Sequence, residues 1–136
     1  MRQEEGGGGV SRFEVAMTGR AKLAGLFAYA PDGDVVLMLA GCCDIHTCGM
    51  RSPIDAAFVD AQGTVIESLR GILPWRRFRR PGAAAVLERY SVFGDPWPAK
   101  GSCVGEMYPK AAEILESMGK DRSLLRREEP SWEKMR

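Results

Sequence analysis

Apolar positions along the chain fall mostly into short alternating runs broken by turn signals, with little helical spacing before residue 109. In residues 11–17, Phe13, Val15 and Met17 lie on one side, the period of a half-buried strand. Thr18 then caps a short helix on which Leu23, Leu26 and Phe27 share a face. Pro31-Asp32-Gly33-Asp34 carries turn chemistry. Val35-Val36-Leu37-Met38-Leu39 follows as a continuous apolar run, the mark of a strand covered on both faces. Residues 54–60 and 64–69 form a hairpin around Ala61-Gln62-Gly63, where Gly63 supplies the positive φ of the loop and Asp60 opens the turn.

Residues 72–82 read as a loop punctuated by Pro74 and Pro81, and residues 83–92 as another strand centred on Val86 and Leu87. Residues 93–105, rich in Gly and Pro, are irregular. Pro109 suits the first turn of a helix, Ile114, Leu115 and Met118 make its apolar stripe, and Gly119 is its stop. That stripe docks on the chain's own domain. Residues 121–136 are highly charged, with Leu124, Leu125 and Trp132 as possible anchors. The pattern predicts a mainly β chain: one small barrel- or sandwich-like domain with a short helix near its start and a C-terminal helical extension. Its divisions are a disordered tail over residues 1–10, a β-rich core over 11–106, and the extension over 107–136.

Composition narrows the function classes. A chain of 136 residues is long enough to bury a true core. With 19 Lys and Arg against 18 Asp and Glu, the net charge is +1, so no whole-molecule field holds nucleic acid or a membrane, and any electrostatic recognition is local. The opening Met1-Arg2-Gln3-Glu4-Glu5 and the glycines after it lack the apolar stretch of a signal peptide. No apolar run approaches the ~20 residues of a membrane span. The expected address is the cytoplasm, where Cys42, Cys43, Cys48 and Cys103 remain thiols.

The densest chemistry lies between Cys42 and Asp60. The string Cys42-x-x-x-His46-Thr47-x-Gly49-Met50-Arg51-x-Pro53-Ile54-Asp55-x-x-Phe58-x-Asp60, with Gly63 and Val65 just after, resembles the prokaryotic family catalogued as domain of unknown function 192. The likeness extends upstream over residues 20–26 and downstream through Leu73-Pro74-x-Arg76 and Val86-Leu87-Glu88, about residues 11–106 in all. The resemblance implies a small, mostly β barrel-like fold and no assigned activity. The chain departs from the family in two places: a Gly-Asp pair common there is Gly105-Glu106 here, and the helix after Pro109 is an addition. Another branch of the family has Trp-Met-Lys-Asn-Thr where this chain has His46 to Met50.

Three chemistries compete for these residues. Were residues 42–48 extended, Cys42, His46 and Cys48 would share a face and supply three zinc ligands, with Cys103 as a fourth. Cys48 and His46 could instead pair as nucleophile and base, oriented by Asp44 or Asp55. The third is binding. Arg70, Arg76, Arg77, Arg79 and Arg80 interleave with Trp75 and Phe78, an arrangement that suits stacking and anion capture. The plainer alternative for that loop is solvation, its guanidiniums paired with Glu67, Glu88 and the acidic tail. Asp55 is expected to accept hydrogen bonds from loop N–H groups and to pair with Arg51.

The favoured reading is a non-catalytic binding or accessory domain with its site where the segment from His46 to Asp55 meets the loop from Trp75 to Arg80. His46, Arg51, Asp55, Trp75 and Arg76 would line it, for a small anionic ligand or an acidic peptide and not for nucleic acid or membrane. The sequence specifies no cofactor. The rival is a Cys/His-dependent enzyme or zinc protein using Cys42, His46 and Cys48.

Overall fold

The computed structural model describes residues 12–19, 22, 25–31 and 34–120. The expected glycine-rich tail, most of the helix after Thr18, the centre of the Asp32-Gly33 turn and the charged tail after Lys120 lie outside the described residues. Seven strands and one long helix account for the described fold: β1 (Arg12–Ala16), β2 (Val35–Ala40), β3 (Asp44–His46), β4 (Ile54–Val59), β5 (Val65–Ile72), β6 (Arg77–Arg79), β7 (Ala85–Tyr90) and α1 (Pro109–Lys120). Two short 3-10 turns, Gly25–Ala28 and Val104–Glu106, complete it.

Five strands form an open sheet in the order β1-β2-β7-β4-β5, and β3 and β6 form a separate two-stranded ribbon. Only β1 and β2 run parallel; every other pairing is antiparallel. The chain is thus mainly β with a C-terminal helix, and among the described residues no pairing joins β1 to β5 to close a ring.

Both faces of the sheet are covered, which is why β2, β4 and β7 are buried at every position. On one face Leu37, Leu39, Ile54, Phe58, Val86 and Tyr90 pack beneath the Gly25–Ala28 turn and the ribbon, through Leu26, Ile45 and Phe78. On the other, Val36, Met38, Val59 and Leu87 pack against α1 through Ala111, Leu115 and Met118. Burying one such side chain contributes roughly 1.5–3 kcal/mol. The α1 stripe is as expected, but the helix runs past Gly119 to Lys120.

The β4–β5 hairpin closes as its sequence requires. Asp60 Oδ1 accepts the N–H groups of Gln62 and Thr64, each at 2.9 Å, and Gly63 takes φ +91°. Two elements differ from expectation. Leu26 is buried while Phe27 is 65% exposed, because the tighter 3-10 turn sends consecutive side chains apart instead of along one face. The loop expected over residues 72–82 contains β6, which pairs antiparallel with β3 in the register Asp44↔Arg79, Ile45↔Phe78 and His46↔Arg77.

Register defines the two ends of the sheet. Ile54 opposes both Ile72 and Tyr90, so the connection leading into Ile54 through Pro53 and those leaving Ile72 and Tyr90 lie at one end, here the Pro53 end. Val59 opposes Val65 and Ala85, and Ala85 opposes Ala40, so Cys42, Cys43 and the hairpin turn lie at the opposite, hairpin end. β3 then carries the chain back toward the Pro53 end.

Candidate functional site

Thr47 ties the segment after β3 to the loop before β6. Its side chain is 1% exposed; its hydroxyl donates to the Leu73 carbonyl at 2.8 Å and accepts from the Arg76 N–H at 2.8 Å. Its backbone N–H donates to the Arg76 carbonyl (2.8 Å), and its carbonyl accepts from the Trp75 N–H (3.1 Å). Four hydrogen bonds on one buried residue hold the two segments together, each adding about 1 kcal/mol. The chain then turns through Gly49 (φ +80°), with the Met50 N–H returned to the Thr47 carbonyl at 3.1 Å.

This junction brings His46, Arg51, Trp75 and Arg76 to the Pro53 end. All four are exposed, and among the described residues neither Arg51 nor Arg76 has an ion-pair partner. His46 Nδ1 accepts the Cys48 N–H at 3.2 Å, which leaves the neutral ring's proton on Nε2. Trp75 is the one non-glycine of positive φ among the described residues, at +66°, and is 69% exposed. Left-handed backbone costs a bulky residue about 1–2 kcal/mol. The fixed loop overcomes that strain and holds an indole in solvent.

The other exposed apolar side chains gather at the same end. Of seven large ones among the described residues, Phe27, Leu73, Trp75, Val92 and Phe93 sit on connections at the Pro53 end. The Phe27 ring lies 3.8 Å from where a Cβ on Gly49 would stand. Tyr90 donates its hydroxyl to the Leu26 carbonyl at 2.9 Å, fixing the Gly25–Ala28 turn there, and the Ser91 N–H bonds to the Pro53 carbonyl at 3.0 Å, fixing the loop that carries Phe93. The turn over residues 47–53 therefore touches three neighbouring connections. Phe93 carried no signal in the sequence beyond lying in an irregular stretch, and Val92, expected to close the strand over residues 83–92, lies beyond β7, which ends at Tyr90.

Asp55 accepts a backbone N–H, as expected, but it pairs with a different arginine and does not line the exposed junction. It faces the α1 side of the sheet, 1% exposed, and Arg51 is not its partner. Its carboxylate receives Arg89 Nε at 3.0 Å, the Ser91 hydroxyl at 2.6 Å and the Gly71 N–H at 2.9 Å, with Arg70 at 3.6 Å. Asp55 and Arg89 are direct cross-strand neighbours. A register shift in β5, where Gly71 adopts φ +65°, turns the Gly71 N–H from the ladder to the carboxylate. The Arg89 guanidinium lies 4.7 Å over the Trp97 ring. The signal was one acid in β4 and the adjacent Glu88-Arg89 in β7, charges set in otherwise apolar runs.

The cysteines are dispersed. Cys42 precedes β3 and its thiol turns to the Asp44 carbonyl, whereas His46 ends that strand. Cys48 lies beyond the end of β3, in the turn, and Cys103 bridges Thr64 at the hairpin end. No three His, Cys, Asp or Glu side chains among the described residues form a metal-holding group. The Cys42 thiol donates to the Asp44 carbonyl at 3.2 Å, and burial pushes its pKa up, with Glu88 adding to the rise. A raised thiol is a poor nucleophile at neutral pH.

The remaining charges of the basic loop are partly neutralised. Arg77 bonds Asp44 through Nε at 3.1 Å, and Arg80 reaches Glu67 at 3.3 Å while lying 5.7 Å from the Phe58 and Phe78 rings. Glu88 does not serve this loop. It lies on central strand β7 beneath the Gly25–Ala28 turn, and burial raises its carboxyl pKa to about 7. An open concavity of about 310 Å³ beside Trp97, Cys103 and Met107 lies away from the His46 junction.

Among the described residues no helix is long and apolar enough to cross a membrane. No family model matches the sequence, and no curated protein does. A solved structure of a “putative transcription regulator” from Sinorhizobium meliloti 1021 is similar over 58% of this chain and 67% of that one, at 20% identity and a TM-score of 0.46.

Proposed function

We propose that the protein is a non-catalytic binding domain that takes a small anion or an acidic partner segment at its Pro53 end. The observation that carries this reading is the gathering of five exposed apolar side chains where His46, Arg51 and Arg76 also stand. Arg51 and Arg76 present guanidiniums suited to bidentate capture of carboxylate or phosphate. Trp75 offers a flat face beside them, and Nε2 of His46 adds a donor. Thr47 keeps the two donor-bearing segments in register, so little ordering accompanies binding. Asp55, on the other face of the sheet, supports the end from behind through Ser91 and Gly71.

The same reading takes the chain as a member of the domain of unknown function 192 family, on the strength of the string from Cys42 to Asp60. It takes the fold as sandwich-like, with the β3–β6 ribbon laid over one face of an open sheet. The cytoplasm is the compartment adopted, supported by four free cysteines of which Cys48 and Cys103 are exposed.

Calorimetric titration of the full chain with inorganic phosphate and with a hexaglutamate peptide tests the reading. Saturable binding of one of these, weakened about tenfold or more by Arg51→Gln or Arg76→Gln, is expected, since charged hydrogen bonds contribute about 1.5–3 kcal/mol. Equal binding by the wild type and both variants, or binding of neither probe, refutes it.

A further inference from the structure

We propose that the Pro53 end docks on the headgroup layer of an anionic lipid bilayer. Phe27, Leu73, Trp75 and Phe93 enter the boundary between headgroups and acyl chains, and Arg51 and Arg76 hold lipid phosphates. This names the source of the anion in the reading above, rests on that reading, and departs from the sequence expectation that the site does not serve a membrane.

The shape and chemistry of the end favour a surface over a cleft. The apolar groups are not contiguous on one strand or helix face. They sit on separate connections, those over residues 25–28, 73–76 and 91–96, which the 47–53 turn ties together. Phe93 is fully exposed at a loop tip, with Gly94 next to it at φ +85°. Trp75 is held outward by a loop whose backbone is fixed on both sides by Thr47. Aromatic rings on rigid tips suit the membrane interface, which is apolar at one depth and wet at the next.

Charge at the end agrees with an anionic surface. In the connections that carry them, the exposed guanidiniums of Arg51 and Arg76 stand against one exposed carboxylate, Asp95, while Arg70 of β5 lies 3.6 Å from Asp55 and exposed Asp34 precedes β2 at the same end. Asp55 is matched by Arg89. Arg51 and Arg76 have no ion-pair partner among the described residues, so their guanidiniums stay open to an anionic surface although the whole chain carries only +1. A second copy of the chain is a poorer occupant, because a two-fold contact through this end would set Arg51 and Arg76 against their own counterparts. Attachment that combines apolar insertion with basic contacts needs both parts, since either alone is weak and reversible.

Co-sedimentation of the full chain with vesicles tests the proposal, using phosphatidylcholine alone and phosphatidylcholine with about a third phosphatidylglycerol, a composition that gives a strongly negative surface. A Trp132→Phe background leaves Trp75 as the exposed indole among the described residues, Trp97 being buried. Binding to the anionic vesicles with a blue shift of Trp75 emission is expected. Phe93→Ser weakens it about tenfold or more. Arg51→Gln with Arg76→Gln weakens it about thirtyfold, at the energy typical of a basic residue near such a surface. All three positions are exposed, so thermal unfolding should stay at the wild-type value. Absence of sedimentation, equal binding to neutral vesicles, or wild-type binding by Phe93→Ser overturns the proposal. Binding of hexaglutamate or phosphate without vesicle binding overturns lipid docking and leaves the anion reading standing. Loss of all three overturns both.

Discussion

Replacing Glu88 by Gln should remove a pH dependence of stability that this one carboxyl creates. Glu88 sits on the central strand between Leu37 of β2 and Ala56 of β4, under the Gly25–Ala28 turn, with Cys42 and Tyr90 among its electrostatic neighbours. Burial raises its pKa from 4.5 to about 7. Because the folded pKa exceeds the unfolded one, the folded state keeps this proton over a range where the unfolded chain has released it. The contribution is therefore most favourable below about pH 4.5, declines as pH rises to about 7, and is fully lost above that. The shift corresponds to on the order of 3 kcal/mol, at about 1.4 kcal/mol per pKa unit, with roughly 2–3 of it falling between about pH 5 and about pH 8. Urea unfolding of wild type and Glu88→Gln at those two pH values measures it. The stability difference between the proteins should move toward the variant by that amount on going to the higher pH, while every other titrating group cancels. A difference that stays level with pH refutes the assignment of the buried proton to Glu88.

Asp55→Asn should cost about 3–5 kcal/mol in the same assay, because it leaves Arg89 buried without its counter-charge; a loss under 1 kcal/mol would show that the pair is not what holds the Pro53 end. Thr47→Val keeps the shape but removes the acceptor of the Arg76 N–H and the donor to the Leu73 carbonyl. A loss of about 1–3 kcal/mol is expected, with faster amide exchange at Arg76 as the local readout. Brief alkylation near pH 7 followed by mass spectrometry should label Cys48 and Cys103 well before Cys42 and Cys43; early labelling of Cys42 would contradict its burial and raised pKa. Trp75→Gly relieves roughly 1 kcal/mol of left-handed strain, partly offset by glycine's greater chain entropy, so the midpoint of thermal unfolding should hold or rise while anion binding falls.

What could be read from the sequence depended on whether the determining contact was local. The hairpin was legible because Asp60 and Gly63 act on backbone within four residues of themselves, and β2 because an unbroken apolar run fits only a strand covered twice. β6 was not, since Arg77-Phe78-Arg79 has no apolar period and becomes a strand only by meeting β3 more than thirty residues away. Asp55 was recognised as fold-defining, yet its partner was sought in the neighbouring Arg51; the true partner, Arg89, is adjacent only across the ladder. The meeting of the His46 segment with the Trp75–Arg76 loop was anticipated from the flanking bends, but the residue that makes it, Thr47, looks like any polar turn residue until its four bonds are traced. Phe93 shows the same limit from the other side. An aromatic in a Gly- and Pro-rich stretch reads equally as an anchor turned inward or a tip turned out.

The position of β7 between β2 and β4 also bears on how the chain is made. During synthesis, the strands from β1 to β5 emerge before the one that joins them, so the ribosome exposes β2 and β4 with open edges until residues 85–90 appear. Only the β4–β5 hairpin can assemble early from neighbouring residues. The nascent molecule thus passes through a stage in which two largely apolar strands lack the partner they share, a window for misassociation that closes when the last strand slots into the middle.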